Sequence, residues 1–132
     1  MFDNKTQVLV VDDMMTVRMV MVQCLADLGF TNVIQATNGQ LAWDAITADN
    51  SQVGFVVSDW NMPKLTGVEL VRLLRANKKY AQIPFLLATT ESETTKVVEA
   101  VKAGVDDYVV KPFNVSTLKE KFENIYKKKA PK

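Results

Sequence analysis

Short apolar runs alternate along the chain with longer segments in which apolar residues recur every three or four positions. The short runs, rich in β-branched residues, are typical of strands buried on both faces, and the longer segments are typical of amphipathic helices. The pattern predicts strands at residues 7–11, 32–36, 54–58, 83–88 and 108–110. It predicts helices at residues 16–28, 41–48, 66–76, 93–103 and 116–128. This alternation indicates an α/β fold, a parallel sheet with helices on both faces.

The first predicted helix has recognisable end signals and an unusual methionine content. Thr16 is a suitable N-cap, and Gly29 is a suitable residue to end the helix. Methionine can fill irregular gaps in a core or form an adaptable surface, and we expect mainly core packing here. The methionines concerned are Met14, Met15, Met19 and Met21.

Length and composition predict one globular domain, residues 1–132. The net charge of +1 provides no bulk attraction to nucleic acid or to a membrane surface, so neither is an expected partner. The lysines in residues 127–132 are interpreted as a frayed, solvated helix end. No apolar stretch approaches the roughly 20 residues of a membrane span, and the single cysteine permits no intrachain disulfide. We therefore expect a cytoplasmic protein.

The residue inventory excludes several kinds of chemistry. The chain has no histidine, which excludes Ser-His-Asp triads, His-ligated zinc sites and phosphohistidine on this chain. It has no phosphate-binding loop of the Walker A type, and its five glycines never fall in the dinucleotide-binding spacing. The polar chemistry therefore depends mainly on carboxylates, hydroxyls and lysines.

Five polar residues come directly after predicted strands. Asp12 and Asp13 follow the first strand, Asp59 the third, Thr89 the fourth and Lys111 the fifth. Because the carboxyl ends of parallel strands meet at one edge of a sheet, we expect these side chains to lie together. Any one of them alone is more often a helix cap or a turn residue, so the prediction depends on the joint pattern.

Three carboxylates at one edge must repel each other. Two charges about 4 Å apart interact by roughly 4 kcal/mol at an effective dielectric of about 20, and we expect Lys111 to offset only one carboxylate. A hard cation with oxygen ligands, above all Mg²⁺, would complement the rest. A carboxylate can also act as a nucleophile toward phosphorus. Asp59, alone after the central strand, is the expected nucleophile, with Asp12 and Asp13 holding the metal.

Four segments resemble those of CheY-type receiver domains of response regulators, in the same order and over nearly the whole chain. They are LVVDD at 9–13, VSDWNMPKLTG at 57–67, LLATTES at 86–92 and DYVVKPF at 107–113. The resemblance implies a flavodoxin-like (βα)5 fold, a doubly wound parallel five-stranded sheet with strand order 2-1-3-4-5, for which this family is a standard example. It also implies a cis peptide between Lys111 and Pro112.

The resemblance also implies a role for each residue of the site. Asp59 would be the phosphoacceptor, and Thr89 and Lys111 would contact the phosphoryl group. The implied Mg²⁺ ligands are Asp12, Asp13, Asp59 and the backbone carbonyl of Asn61. The protein would then be a switch and not an enzyme, with only Mg²⁺-dependent self-phosphorylation and slow self-dephosphorylation.

A surface that responds to phosphorylation is implied as well. A phosphoryl group adds about −1.5 to −2 charges, which would draw Thr89 toward it and let Tyr108 rotate inward. The residues of this switch face are Ser92, Val97, Val101, Tyr108, Val110 and Lys121. The partners implied are a CheA-like histidine kinase, a FliM-like flagellar motor switch protein on this face and a phosphatase. We expect a monomer.

Three other functions compete with the chemotaxis output switch. The first is a stand-alone relay receiver that passes its phosphoryl group to a histidine phosphotransfer protein. The second is a carboxylate-nucleophile phosphatase, which would require Asp-x-Asp where this chain has adjacent aspartates. The third is a flavin-binding module, but the acidic pair would repel a flavin phosphate.

Met14, Met15 and Thr90 depart from the usual residues beside a receiver site. We expect them to affect access to the site and the rate of dephosphorylation.

Overall fold

The structure is a computed structural model that describes residues 2–90 and 94–129, without the side chains of residues 94 and 95. Within these ranges five strands alternate with five helices, and each lies within two residues of its predicted ends. The elements are β1 (Gln7–Val11), α1 (Met15–Asp27), β2 (Val33–Ala36), α2 (Gly39–Thr47), β3 (Val53–Asp59), α3 (Gly67–Ala76), β4 (Phe85–Thr89), α4 (Thr94–Ala103), β5 (Asp107–Val110) and α5 (Val115–Lys129).

The strands form one parallel sheet in the order β2-β1-β3-β4-β5, which confirms the implied flavodoxin-like topology. β3 is central, with β1 and β4 as its neighbours. The register aligns the carboxyl ends of the strands, since Val11 pairs with Ser58 and Asp59 pairs with Ala88. Residues that follow β1, β3, β4 and β5 therefore emerge at one edge of the sheet.

Side chains of the strands alternate between two buried layers. On β1, Leu9 and Val11 contact the layer covered by α2, α3 and α4, whereas Val8 and Val10 contact the layer covered by α1 and α5. The second layer is rich in phenylalanine, and the rings of Phe55 and Phe122 stack with centroids 4.2 Å apart. Both faces of the sheet are thus buried beneath helices, which explains the continuous apolar runs in the sequence.

The start of α1 differs from the prediction. The helix begins at Met15, and the N-cap residue Met14 makes no side-chain cap, so the prediction that Thr16 is the N-cap was wrong. The backbone N–H of Met14 instead donates to the Asp12 carboxylate at 2.9 Å, which closes the turn before Thr16 is reached. Gly29 has φ of 96° directly after the helix, and its predicted role in ending α1 is confirmed.

The expectation that the methionines fill the core was wrong for three of the four. Met21 is 1% exposed, but Met14, Met15 and Met19 are 57%, 63% and 60% exposed. The buried face of α1 consists of Met21, Cys24 and Leu25, and Met15 and Met19 lie one turn apart on the other side of the helix. An apolar surface therefore flanks the loop that carries Asp12.

The helix α5 continues through Lys129, so the expected fraying was wrong for residues 127–129, and residues 130–132 lie outside the described residues. Lys128 Nζ donates to the backbone carbonyl of Asp106 at 2.9 Å, and Lys129 Nζ lies 3.2 Å from the Asp106 carboxylate. That carboxylate also binds the guanidinium of Arg75 at 2.9 Å. This network ties α3 and α5 to the loop before β5, at the edge of the sheet opposite to the aspartates.

In the part of the chain that the structure describes, no helix has the length and apolar content that a bilayer crossing requires.

Replacing Gly67 by alanine should destabilise the fold. A Cβ at Gly67 would overlap the backbone carbonyl of Asp59 and would lie 2.9 Å from Leu87 Cδ1, so the backbone that carries Asp59 must shift. Overpacking of this kind reduces the free energy of unfolding by about 1–3 kcal/mol, which urea unfolding can measure.

Gly54→Ala is the matched control for Gly67→Ala. Its nearest neighbour would be Thr6 Cγ2 at 3.0 Å, the end of a partly exposed side chain and not a backbone atom. Its free energy of unfolding should stay near the wild-type value. Equal losses in the two variants would contradict the proposed tight contact between Gly67 and Asp59.

Candidate functional site

Three aspartates gather at the carboxyl edge of the sheet, as the sequence predicts. One carboxylate oxygen from each of Asp12, Asp13 and Asp59 lies within 4.8 Å of the other two. Asp12 is buried, Asp59 is partly buried and Asp13 is exposed. The group therefore opens to solvent on the side of Asp13 and is closed on the side of Asp12.

Lys111 connects two of these carboxylates. Its Nζ lies 2.8 Å from Asp12 Oδ2 and 3.0 Å from Asp59 Oδ1, so two carboxylates share its single positive charge and the acidic group keeps a net negative charge. The Lys111 backbone N–H donates to the carbonyl of Thr89 at 2.8 Å, and the Lys111–Pro112 peptide is cis, as the resemblance implied. Burial disfavours the ammonium charge, but the contacts with Asp12 and Asp59 outweigh burial and raise the pKa of Lys111.

Burial raises the pKa of Asp59 above its ordinary value, and the neighbouring Asp12 adds to the effect. Lys111 and the backbone N–H of Trp60, which donates to Asp59 at 2.8 Å, lower the pKa without cancelling the effect of burial. A carboxylate with a raised pKa is more basic and is thus a better nucleophile than an exposed aspartate.

Asp12 and Asp13 differ in how firmly they are held. Asp12 receives the Met14 N–H on one carboxylate oxygen and Lys111 on the other, and its own N–H donates to the carbonyl of Ala36 at 3.2 Å. The Asp13 carboxylate has no hydrogen-bond or ion-pair partner within residues 2–90 and 94–129. Asp13 thus offers both of its oxygens to an incoming cation.

The donor set fits a hard divalent cation. All three side chains offer carboxylate oxygens, which are the ligands that Mg²⁺ prefers, and each oxygen can accept more than one partner. The exposed Asn61, whose backbone carbonyl the resemblance implies as a further ligand, lies in the loop between β3 and α3, two residues after Asp59. This loop is held at its end by a hydrogen bond from the Gly67 N–H to the Trp60 carbonyl at 2.9 Å.

Comparison with known proteins identifies the family. Residues 8–123 match the family of response regulator receiver domains. The chain belongs to this family. It is 44% identical over 119 residues to a chemotaxis protein CheY homolog of Campylobacter jejuni, covering 90% of this chain and 91% of that protein. It is 42% identical over 122 residues to the chemotaxis protein CheY of Pseudomonas aeruginosa, covering 92% and 97% of the two chains.

Solved structures agree with this assignment. The chemotaxis protein CheY4 of Vibrio cholerae matches with a TM-score of 0.82 and 32% identity, covering 92% of this chain and 98% of that one. The structural neighbour and the sequence relatives thus both lie in the receiver family.

The remaining receiver residues of the site lie where β4 ends. Thr89 is buried as the last residue of β4, beside β3 and its terminal Asp59. Thr90, the next residue, is exposed at the mouth of the site. An apolar cavity with a volume of about 410 Å³ adjoins this mouth between the start of α1 and the loop after β5, and its lining includes Val20, Thr90 and Phe113.

The described residues of the predicted switch face lie on α4, β5 and α5. Tyr108 is half-buried against the core, and Lys121 Nζ lies 5.4 Å from the centroid of its ring. Val97 and Val101 are one turn apart on α4, with Val97 partly buried and Val101 exposed. Val110 is exposed on β5, on the same side of the strand as Tyr108. Ser92 lies outside the described residues.

Two contacts near the site were not predicted from the sequence. Arg18 Nη1 donates to the backbone carbonyl of Asp12 at 2.8 Å, and Lys96 Nζ lies 5.9 Å from the centroid of the Trp60 ring. Arg18 lies in the first turn of α1, six residues after Asp12, and its charge beside the acidic pair is the signal that could have indicated the first contact. The second depends on how α4 packs, for which the sequence offered no signal.

Asp59→Asn should raise the free energy of unfolding of the metal-free protein at neutral pH. The folded state raises the pKa of Asp59, so it favours the neutral carboxyl and is destabilised once the group ionises. The gain of the variant over the wild type should therefore shrink as the pH falls through the raised pKa. Urea unfolding across the acidic range measures both effects.

Asp44→Asn is the control for this prediction. Asp44 is exposed on α2, where it accepts a hydrogen bond from Gln40 at 3.0 Å, and its replacement should not stabilise the protein. A lower stability of Asp59→Asn than of the wild type at neutral pH would contradict the assigned effect of burial.

Proposed function

We propose that this protein is a phosphoryl-accepting response regulator of the chemotaxis type, with Asp59 as its phosphoacceptor and Mg²⁺ as its cofactor. The observation that carries the proposal is the position of Asp59, close to the exposed carboxylate of Asp13 and 3.0 Å from the ammonium of Lys111. Membership in the receiver family and 42–44% identity to chemotaxis proteins support it.

The proposed reaction is the transfer of a phosphoryl group to the Asp59 carboxylate. A carboxylate oxygen forms a bond to phosphorus while the bond from phosphorus to the donor breaks, and the electron pair leaves with the donor, a histidine imidazole or acetate. The raised pKa of Asp59 favours this attack. Lys111, which already binds Asp12, can exchange its contact with Asp59 for a phosphoryl oxygen and so neutralise charge that arrives with the group.

Asp12, Asp13, Asp59 and the backbone carbonyl of Asn61 are the proposed metal ligands. When bound, Mg²⁺ neutralises charge on the phosphoryl oxygens and on the acidic cluster. Asp13 presents its carboxylate from the exposed side, whereas Asp12 keeps a fixed position through its bonds to Met14 and Lys111. The Thr89 hydroxyl, at the end of β4, is the proposed contact for another phosphoryl oxygen.

Self-phosphorylation and slow self-dephosphorylation are the only chemical steps that we assign to the chain. Water must reach the phosphoryl group past Thr90 and the exposed Met14 and Met15. These side chains differ from those usual beside a receiver site, so they belong among the determinants of phosphoryl lifetime and of access by a phosphatase.

Chemotaxis relatives in general imply a kinase partner and a motor switch. We propose a CheA-like histidine kinase as the phosphodonor and a FliM-like motor switch protein as the target. The target would bind the switch face, where Tyr108 and Lys121 pack together between α4 and α5. The relay alternative is not favoured, because relatives at 42–44% identity carry chemotaxis names.

Phosphorylation-dependent capture of a motor switch peptide tests this proposal. With acetyl phosphate and Mg²⁺, the wild type should bind a FliM-like peptide more tightly, as measured by fluorescence anisotropy. Asp59→Asn should lose the increase because it has no phosphoacceptor. Tyr108→Ala should take up phosphate but bind the peptide more weakly, because the ring that contacts Lys121 is missing.

Tyr80→Ala and Asp44→Asn are the controls for this experiment. Tyr80 packs on Trp43, remote from the switch face, and Asp44 is exposed on α2, so both variants should bind as the wild type does. Loss of label to a histidine phosphotransfer protein, with no gain in peptide affinity, would instead establish the relay function.

A further inference from the structure

Arg18 makes two contacts that join the acidic loop to the edge strand of the sheet. Its guanidinium Nη1 donates to the backbone carbonyl of Asp12 at 2.8 Å, and its Nε donates to the side-chain oxygen of Gln35 at 3.1 Å. The planar fork of an arginine can hold both acceptors at once, which a lysine ammonium does less well. Arg18 therefore fixes the position of a peptide group, and not only the charge of a carboxylate.

The peptide that Arg18 holds is the one that connects Asp12 to Asp13. Asp12 is fixed through its side chain as well, by Met14 and Lys111. Asp13 has no such side-chain contact within residues 2–90 and 94–129, so its place in the acidic group depends on its backbone. A rotation of the 12–13 peptide would carry the Asp13 carboxylate away from Asp12 and Asp59.

We infer that Arg18 is a positioning residue for the metal site: its bond to the Asp12 carbonyl holds Asp13 where its carboxylate can bind Mg²⁺. The inference rests on the proposed function, because it concerns the metal that the acidic group would bind. Arg18 acts here through Asp12 and Asp13 and contacts neither metal nor phosphate itself.

Electrostatics alone predicts the opposite result. Arg18 is a cation beside the acidic loop, and a nearby positive charge repels an incoming Mg²⁺. If charge were its only influence, replacing Arg18 by a neutral residue would tighten Mg²⁺ binding, most strongly at low salt. Positioning predicts weaker binding. The sign of the change in Kd therefore separates the two roles.

The test is a Mg²⁺ titration at fixed ionic strength, followed by the fluorescence of Trp60, which adjoins Asp59. Arg18→Ala should raise the Kd on the order of tenfold, the scale on which lost outer contacts weaken metal sites. Arg18→Lys keeps the charge but replaces the rigid planar guanidinium that bonds the Asp12 carbonyl by a flexible ammonium, so this bond should weaken and the Kd should be intermediate. Gln35→Ala removes only the Nε contact and should keep the wild-type Kd, because the bond to the Asp12 carbonyl remains.

Hydrogen exchange in the metal-free protein gives a second measurement. The amides of Asp12 and Met14 bond to Ala36 and to the Asp12 carboxylate, and both should exchange faster in Arg18→Ala than in the wild type. Amides in the buried part of α5 around Phe122 should not change. Faster exchange throughout the chain would mean general destabilisation and would overturn the local role.

An unchanged or lower Kd in Arg18→Ala, beside a wild type that binds Mg²⁺, would overturn the positioning role and leave the proposed function intact. A wild type that binds no Mg²⁺ would overturn both. If Arg18→Ala does not fold, Arg18→Lys decides the question. A Kd for Arg18→Lys above that of Gln35→Ala supports the inference, and an equal Kd overturns it.

Discussion

The Lys111 ammonium lies between two carboxylates that would otherwise repel each other, 2.8 Å from Asp12 and 3.0 Å from Asp59. Two like charges at about 4 Å interact by roughly 4 kcal/mol at an effective dielectric of about 20. The free energy of unfolding of a domain of this size is only about 5–15 kcal/mol. The repulsion within an unpaired acidic cluster would therefore cost a large fraction of that stability. The arrangement of the site depends on this one contact. The arrangement also requires β1 and β3 to be neighbours in the sheet, because only adjacent strand ends bring Asp12 and Asp59 within reach of the Lys111 side chain.

The same contact links the site to the surface of the molecule. Lys111 follows β5 directly, and β5 carries Tyr108 three residues earlier. The Lys111 backbone is bonded to Thr89 at the end of β4, so the two strands that border the switch face meet at the acidic edge. At the opposite edge, Arg75 and the end of α5 are tied to Asp106. A change in the contacts of Lys111 therefore acts on a strand that is anchored at its other end.

The fold could be predicted from the sequence because the apolar period changes cleanly between strands and helices. The site could be predicted because parallel strands bring Asp12, Asp59 and Lys111 to one edge. What could not be predicted depends on distances between side chains. The apolar residues of α1 outnumber the positions on its buried face, so the exposure of Met15 and Met19 became visible only in the packed helix.

The start of α1 could not be predicted either. Thr16 is a residue type common at N-caps, but α1 already begins at Met15, after a turn in which the Asp12 carboxylate accepts from the Met14 N–H. The reach of Lys111 to a second carboxylate and the ordering of Lys129 by Asp106 are likewise contacts between residues far apart in sequence.

The central claim is that Asp59, and neither of its acidic neighbours, receives the phosphoryl group. Borohydride reduces an acyl phosphate to an alcohol, so it converts a phosphorylated aspartate into homoserine at that position. Peptide mapping by mass spectrometry, after reaction with acetyl phosphate and Mg²⁺ and reduction with borohydride, locates the modified residue. The account predicts homoserine at position 59 only. Homoserine at position 12 or 13, or none in a protein shown to be phosphorylated, would contradict it.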